Sequence, residues 1–145
     1  MQTRILIVDD EKDFVQTLAE RLSIRNYTVN TAFNGEGAIE KIKKYNFDVV
    51  ILDVAMPGMS GIDALREIKK IKPLTAVIML TGQATVEAAI EGMKLGADDF
   101  LQKPCGTEDL LSKIDKAYER KAEHEERIRD AKVKQIISSP MSVLK

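Results

Sequence analysis

The sequence has one cysteine, one histidine and no long apolar run, and each scarcity excludes a class of protein. The single cysteine, Cys105, excludes an internal disulfide and is typical of a reducing compartment. His124 lies in a charged helical stretch, so neither residue is predicted to be catalytic. No apolar run approaches the roughly 20 residues of a membrane span, and the first residues lack a signal-peptide pattern. We therefore expect a cytoplasmic protein without membrane contact.

The sequence also lacks an excess of either charge. Its 22 Lys and Arg residues nearly balance its 23 Asp and Glu residues, which leaves a net charge of −1. Such a balance provides no basic surface for nucleic acid. No helix-turn-helix, GxxxxGK[ST] nucleotide loop or cyclase-like segment is present. With 145 residues, 44% of them hydrophobic, the chain is predicted to form one globular domain that does not bind nucleic acid directly.

Short apolar runs alternate with helical patterns along the chain. Three runs, residues 5–8, 49–52 and 77–80, are continuously apolar, as strands buried on both faces of a parallel sheet are. Residues 28–32 alternate in polarity and residues 100–101 form a short run, so both suit the edges of a sheet. Five strand–helix repeats predict an α/β fold, a flavodoxin-like (βα)5 doubly wound parallel sheet with strand order 2-1-3-4-5.

The helical patterns carry end signals. Asn34 is predicted to cap the second helix, Gly96 to end the fourth and Thr107 to cap the fifth. From about Glu119 the sequence is dense in both charge signs, which predicts that the last helix extends beyond the domain as a solvated rod. Its apolar positions are too sparse for a coiled coil. We expect a domain over residues 1–120, then an extended helix and tail over residues 121–145, with the helix ending near residues 136–140.

Polar residues follow four of the five predicted strands. They are Asp9 and Asp10 after the first, Asp53 after the third, Thr81 after the fourth and Lys103 after the fifth. Ligands of open α/β sheets bind at the carboxyl ends of the strands, so these side chains are predicted to converge. Three carboxylates, one hydroxyl and one ammonium together suit a divalent cation and a phosphoryl group.

The carboxylates predict a site for Mg²⁺ or Mn²⁺, because such cations prefer hard oxygen ligands. Asp10 and Asp53 are the expected inner ligands, and Asp9 is expected to act directly or through water. The backbone carbonyl of Ala55 is expected to complete the shell.

The remaining residues suit phosphoryl transfer. Asp53 can attack a phosphoryl donor and form an aspartyl phosphate. Lys103 can pair with one phosphoryl oxygen, and the Thr81 hydroxyl can donate a hydrogen bond to another.

Together these motifs resemble the receiver domain of two-component response regulators. The resemblance covers roughly residues 4–120 and is carried by residues 5–10, Asp53 with residues 56–61, residues 81–82 and residues 96–104. It implies that Asp53 accepts a phosphoryl group from a histidine kinase, that Asp9 and Asp10 bind Mg²⁺, and that Thr81 and Lys103 contact the phosphate. It also implies that Phe100 turns inward on activation and that the Lys103–Pro104 bond is cis.

The resemblance further implies partners. These are a sensor histidine kinase or histidine phosphotransfer protein and an unidentified downstream protein, and a homodimer through the face of the fourth helix, fifth strand and fifth helix is compatible with it. It implies no enzyme with turnover beyond phosphoryl acceptance and slow autodephosphorylation at Asp53. Ala55 and Gln83 occupy positions that influence how long the phosphoryl group lasts in that family.

Several alternatives remain open at the level of sequence. Because the chain begins at Met1 and carries a tail, we expect a stand-alone receiver, and the alternative is the amino-terminal fragment of a longer regulator. A small phosphohydrolase with Asp9 as nucleophile is the enzyme alternative, which the lack of a cap domain disfavours. A module that keeps the fold but acts without phosphate is a third, which the intact acids, threonine and lysine disfavour.

Overall fold

The computed structural model describes residues 2–82 and 86–138 and consists of one five-stranded parallel sheet with helices on both faces. The strands are β1 (Arg4–Val8), β2 (Thr28–Ala32), β3 (Val49–Asp53), β4 (Ala76–Thr81) and β5 (Asp99–Gln102). The helices are α1 (Lys12–Ile24), α2 (Gly35–Lys44), α3 (Gly61–Ile71), α4 (Val86–Lys94) and α5 (Thr107–Ser138). Gln83 and the predicted tail from residue 139 onward lie outside the described residues.

The sheet order is β2-β1-β3-β4-β5, so the predicted fold and strand order are confirmed. The wetter strand β2 and the short strand β5 are the two edges, as their composition indicates. Strand β3 is buried along its whole length because sheet neighbours and helices cover it on every side. The order reverses between β1 and β3, and ligand sites of doubly wound sheets lie at that point.

Alternate residues of each central strand enter two separate hydrophobic layers. On one face, Leu6 and Val8 of β1 pack with residues of α2 and α3. On the other face, Ile5 and Ile7 pack with residues of α1 and α5. Fully burying one such side chain contributes roughly 1.5–3 kcal/mol, so both layers hold the central strands in register.

Two of the three predicted helix ends are confirmed, and one is wrong by a residue. The Asn34 side chain caps α2 by accepting a hydrogen bond from the N–H of Gly37 at 2.7 Å. Gly96 follows α4 with φ of +108°, a conformation that glycine adopts without strain. Thr107, however, is the first residue of α5, because its helical hydrogen bonds begin with the N–H of Leu110 donating to the carbonyl of Gly106.

Helix α5 has 32 residues and is therefore about 48 Å long. Its last fully buried residue is Ala117. One turn later, the Lys121 ammonium lies 3.4 Å from a carboxylate oxygen of Asp48 and 2.8 Å from one of Glu125. Residues 126–137 are all exposed, in agreement with the predicted solvated rod. No helix in the described part of the chain is long and apolar enough to cross a bilayer.

Gly61 allows the start of α3 to lie directly against the end of β3. A Cβ atom at this position would lie 2.2 Å from the backbone oxygen of Asp53 and 2.6 Å from the Cα of Val54. The Gly61 N–H donates to the carbonyl of Val54 at 2.9 Å, which fixes this close approach. A larger residue must therefore displace backbone rather than a flexible side chain.

We expect Gly61→Ala to lower the free energy of unfolding by about 2–3 kcal/mol, because the added methyl group forces α3 away from β3. Gly92→Ala is the matched control. Its Cβ atom would meet only side chains at ordinary contact distances of 3.4–3.6 Å, and alanine favours the helix. Urea unfolding followed by circular dichroism measures both variants. Equal stability of the two would show that α3 does not require the close approach at Gly61.

Candidate functional site

The candidate site lies where β1, β3, β4 and β5 end. Val8 of β1 pairs with Leu52 of β3, so the residues that follow them, Asp9 and Asp53, are neighbours. The N–H of Lys103 donates to the carbonyl of Thr81 at 2.7 Å, which joins the end of β5 to the end of β4. Backbone pairing therefore places four of the predicted site residues at one edge of the sheet.

The three predicted metal-binding acids are close together. Ligand oxygens of Asp9, Asp10 and Asp53 all lie within 4.8 Å of one another. Asp9 has no exposed surface, Asp53 is 5% exposed and Asp10 is exposed to solvent. Ala55 is also exposed, and its N–H donates a hydrogen bond to the carboxylate of Asp53. Metal coordination by the Ala55 carbonyl stays a prediction.

The Lys103 ammonium lies among these carboxylates. Its Nζ atom is 2.5 Å from Oδ2 of Asp9 and 3.8 Å from Oδ1 of Asp53. Its side chain is only 20% exposed, so solvent screens these charges weakly. The predicted bond geometry is also present, since the Lys103–Pro104 peptide is cis.

The local electrostatics disfavour ionisation of Asp53. Burial, followed by the negative charge of Asp9, raises the pKa of Asp53 to about 6, against the lowering effects of Lys103 and the Ala55 N–H. Burial lowers the pKa of Lys103, but its hydrogen bond to Asp9 and the surrounding negative charges outweigh burial and raise it overall. Lys103 is therefore a cation throughout the physiological pH range, and one cation does not fully compensate the acids.

The donor set fits a hard divalent cation. Mg²⁺ in proteins is usually bound by one or two carboxylates and keeps several waters. Here two buried acids and one solvent-exposed acid present oxygens at one point. Burial and the negative charge of Asp9 raise the pKa of Asp53, and a cation among these acids would oppose both effects. These residues therefore could hold Mg²⁺.

The two predicted switch residues are in contrasting environments. Thr81 is completely buried, and its hydroxyl has no hydrogen-bond partner among residues 2–82 and 86–138. Phe100 is 37% exposed on the edge strand β5. Asp53 of β3 pairs with Leu80 of β4, the residue before Thr81, so strand pairing rather than a side-chain hydrogen bond brings Thr81 near Asp53.

Two residues in the site were not singled out in the sequence. Glu11 Oε1 lies 3.6 Å from Lys103 Nζ, and its N–H donates to Oδ1 of Asp9 at 3.0 Å. The ring centroid of Phe14 lies 4.7 Å from the same ammonium. Glu11 directly follows Asp9 and Asp10 as the third acid of a continuous run, and this run could have indicated it. The sequence pattern predicts Phe14 only as part of the apolar face of α1, because nothing in the local sequence indicates contact with Lys103.

Cys105 lies beside the site and is half-buried. Burial raises the pKa of its thiol, although the positive charge of Lys103 acts in the opposite direction. A raised thiol pKa leaves little reactive thiolate at neutral pH. This supports the prediction that Cys105 is not a nucleophile.

Comparison with known proteins agrees with this geometry. Residues 5–115 match the response regulator receiver domain, which is more than half of the chain. The chain belongs to that family. Receiver domains are signalling modules of response regulators, and the four strand ends described above all fall within the matched residues.

Individual relatives show the same relationship. A receiver domain from Clostridium thermocellum is 41% identical, with a TM-score of 0.80, covering 83% of this chain and 97% of that one. A CheY-like receiver domain from Methanospirillum hungatei is 30% identical, with a TM-score of 0.82, covering 86% and 99%. The cell cycle response regulator CtrA of Brucella abortus is 31% identical over 121 residues, which are 83% of this chain and 52% of CtrA. The receiver thus spans about half the length of the curated relatives it matches.

The raised pKa of Asp53 predicts a pH dependence of stability. Because an acid with a raised folded-state pKa binds its proton more tightly when folded, stability falls as pH rises from about 4 through about 6. We expect Asp53→Asn to remove this decrease. Without divalent cations, the free energy of unfolding of the variant should therefore rise by about 2–3 kcal/mol relative to that of wild type between pH 4 and pH 7. Urea unfolding of both proteins with a chelator measures it. Parallel pH profiles would contradict the prediction.

Proposed function

We propose that Asp53 accepts a phosphoryl group from the phosphohistidine of a sensor histidine kinase or histidine phosphotransfer protein, with Mg²⁺ bound by Asp9, Asp10 and Asp53. The observation that carries this proposal is the convergence of three carboxylates within 4.8 Å, with the Lys103 ammonium 3.8 Å from Asp53. Membership in the receiver domain family supports it.

In the proposed reaction a carboxylate oxygen of Asp53 forms a bond to phosphorus. The phosphorus–nitrogen bond of the phosphohistidine breaks, and the departing imidazole nitrogen keeps the electron pair. Such transfers depend on positioning and charge neutralisation more than on proton transfer. The bound cation supplies part of the neutralisation.

Lys103 and Thr81 are proposed to bind the transferred group. Lys103 is a partly buried point charge 3.8 Å from Asp53, so it can pair with a phosphoryl oxygen without a large movement. The Thr81 hydroxyl is a donor without a partner among the described residues, and a phosphoryl oxygen would provide an acceptor. A hydrogen bond to a charged acceptor contributes roughly 1.5–3 kcal/mol.

The proposed output surface is the face formed by α4, β5 and α5. The exposed large apolar side chains of these elements include Ile90 at 50%, Met93 at 38%, Phe100 at 37% and Tyr118 at 37%. We propose that engagement of Thr81 draws Phe100 inward and thereby changes this face. A downstream protein or a second receiver is the proposed partner, because the face combines apolar area with polar surroundings such as the Asp99–Lys113 ion pair at 3.0 Å.

We also propose the division into a receiver over residues 1–120 and an extension over residues 121–145. The match to the family ends at residue 115, and the buried side of α5 ends at Ala117. The extension either contacts partners itself or leads into a further domain of a longer regulator. The chain covers 52% of CtrA, so that relative has a further region outside the matched part, as the second arrangement requires.

Magnesium binding has a direct thermal test. We expect Mg²⁺ at ten times its dissociation constant to stabilise the protein by about 1.4 kcal/mol and raise Tm by a few degrees. Asp10→Asn should abolish most of this rise because it removes the exposed ligand of the cluster. Asp13→Asn, which replaces another exposed acid near the start of α1, is the control and should retain the rise. A rise in Tm that persists in Asp10→Asn would place the cation elsewhere.

Phosphorylation is tested by intact mass. We expect incubation with acetyl phosphate and Mg²⁺ to add one phosphoryl group to the wild-type protein and none to Asp53→Asn. Asp63→Asn, an exposed acid at the start of α3, is the control and should be modified like wild type. An adduct that survives in Asp53→Asn would refute the assignment. Continuous release of phosphate in large excess over protein would favour the phosphohydrolase alternative.

A further inference from the structure

The ammonium of Lys103 has two kinds of neighbour. On one side are the carboxylates of Asp9, Glu11 and Asp53, at 2.5, 3.6 and 3.8 Å. It also lies over the aromatic ring of Phe14, 4.7 Å from the ring centroid. A cation within about 6 Å of a ring centroid, over its face, is attracted by the ring electrons, and the attraction strengthens when water is excluded. Lys103 is 20% exposed, so this contact is largely shielded from solvent.

The fold holds Phe14 and the backbone of Lys103 in place. Phe14 belongs to α1 and packs against the hydrophobic layer that holds Val15 and Leu18. Lys103 is held at its backbone by the hydrogen bond from its N–H to the Thr81 carbonyl. Between them, only the methylene chain of Lys103 is flexible enough to change its conformation. The ring is thus a fixed support for a mobile ammonium.

The acids that hold the ammonium beside Asp53 include two that are proposed to bind the metal. The shortest contact of the ammonium is with Asp9, and Asp9 belongs to the cluster of acids proposed to bind Mg²⁺. A divalent cation in that cluster competes with the ammonium for the same carboxylate oxygens. The ring of Phe14 is not a ligand of the metal, so its attraction for the ammonium does not depend on whether the cluster is occupied.

We infer that Phe14 is a positioning residue for Lys103: its ring face retains the ammonium beside Asp53, where the transferred phosphoryl group is bound. This inference rests on the proposed function of Asp53. It assigns to Phe14 an electrostatic role beyond hydrophobic packing. An aliphatic side chain of similar size at this position does not fulfil that role, whereas another aromatic side chain does.

The first experiment compares Phe14→Leu, which keeps an apolar side chain, with Phe14→Tyr, which keeps an aromatic face. In the metal-free protein, NMR of the Lys103 ε-methylene protons should show an upfield ring-current shift in wild type and Phe14→Tyr and none in Phe14→Leu. With saturating Mg²⁺ and acetyl phosphate, phosphorylation should be slower by about fivefold in Phe14→Leu, a factor that represents roughly 1 kcal/mol. In Phe14→Tyr it should stay within about twofold of wild type.

Phe33→Leu is the matched control. The Phe33 ring lies under another ammonium, that of Lys12, at 5.4 Å, and the same substitution removes a contact of the same kind without touching Lys103. Its phosphorylation rate should remain at the wild-type level. If Phe33→Leu slows the reaction as much as Phe14→Leu does, the effect is one of general packing and the inference is wrong.

A series of fluorinated variants tests the same inference if Phe14→Leu does not fold. Replacing Phe14 by phenylalanines with one, two and three ring fluorines withdraws charge from the ring face with little change in shape. The phosphorylation rate should fall stepwise with fluorine number, and a flat series would overturn the inference. If wild-type protein is not phosphorylated at all, the proposed function fails, and the ring-current shift still decides whether Phe14 holds Lys103.

Discussion

The site depends on the charge compensation that the Lys103 ammonium provides to buried acids. Asp9 and Asp53 are almost completely buried, and a buried carboxylate is costly unless it is paired. Lys103 pairs closely with Asp9 and is 1.3 Å farther from Asp53 (3.8 against 2.5 Å). One positive charge therefore serves several negative ones, and the pKa of Asp53 rises to about 6 as a result of burial and of that remaining repulsion. The deficit of positive charge, rather than the number of acids, makes this edge of the sheet suited to a divalent cation.

The fold maintains this deficit through backbone geometry. Parallel pairing of β1 with β3 brings Asp9 beside Asp53, and the bond from the Lys103 N–H to the Thr81 carbonyl places the ammonium opposite them. Gly61 lets α3 begin against the Asp53 carbonyl, which keeps the helix packed closely on the end of β3. Two hydrophobic layers hold the central strands in place. The stability of these layers offsets the unfavourable electrostatics, which is how a receiver domain can keep three acids together before any cation is bound.

The sequence predicted the sheet and the acid cluster because both follow from short-range patterns. Continuous apolar runs mark buried parallel strands, and the residue that follows each run must lie at the carboxyl edge. Thr107 was misplaced by one residue because threonine is favourable both before a helix and within its first turn, and the hydrogen bond to the Gly106 carbonyl decides between them. The contact of Phe14 with Lys103 was not predictable, since it depends on how α1 packs against the end of β5. Likewise, burial of the Thr81 hydroxyl without a partner in the described part of the chain depends on side-chain orientation.

Two features of the described residues are energetically unfavourable. They are the burial and repulsion that raise the pKa of Asp53 and the buried Thr81 hydroxyl without a hydrogen-bond partner. A buried hydroxyl without a partner costs roughly 1–3 kcal/mol. Among the described residues, the Thr81 hydroxyl has no partner that would offset this cost. Inverting a two-state equilibrium from 1:99 to 99:1 needs about 5.5 kcal/mol of differential stabilisation. A ligand that binds both states equally contributes nothing to that difference. In the proposed function, a phosphoryl group on Asp53 would satisfy the Thr81 donor only in a conformation that brings the two together. A hydrogen bond to its charged oxygen would then be worth roughly 1.5–3 kcal/mol. Under that proposal the unsatisfied donor would make the affinity for the phosphoryl group differ between the two conformations, and only such a difference can drive a switch.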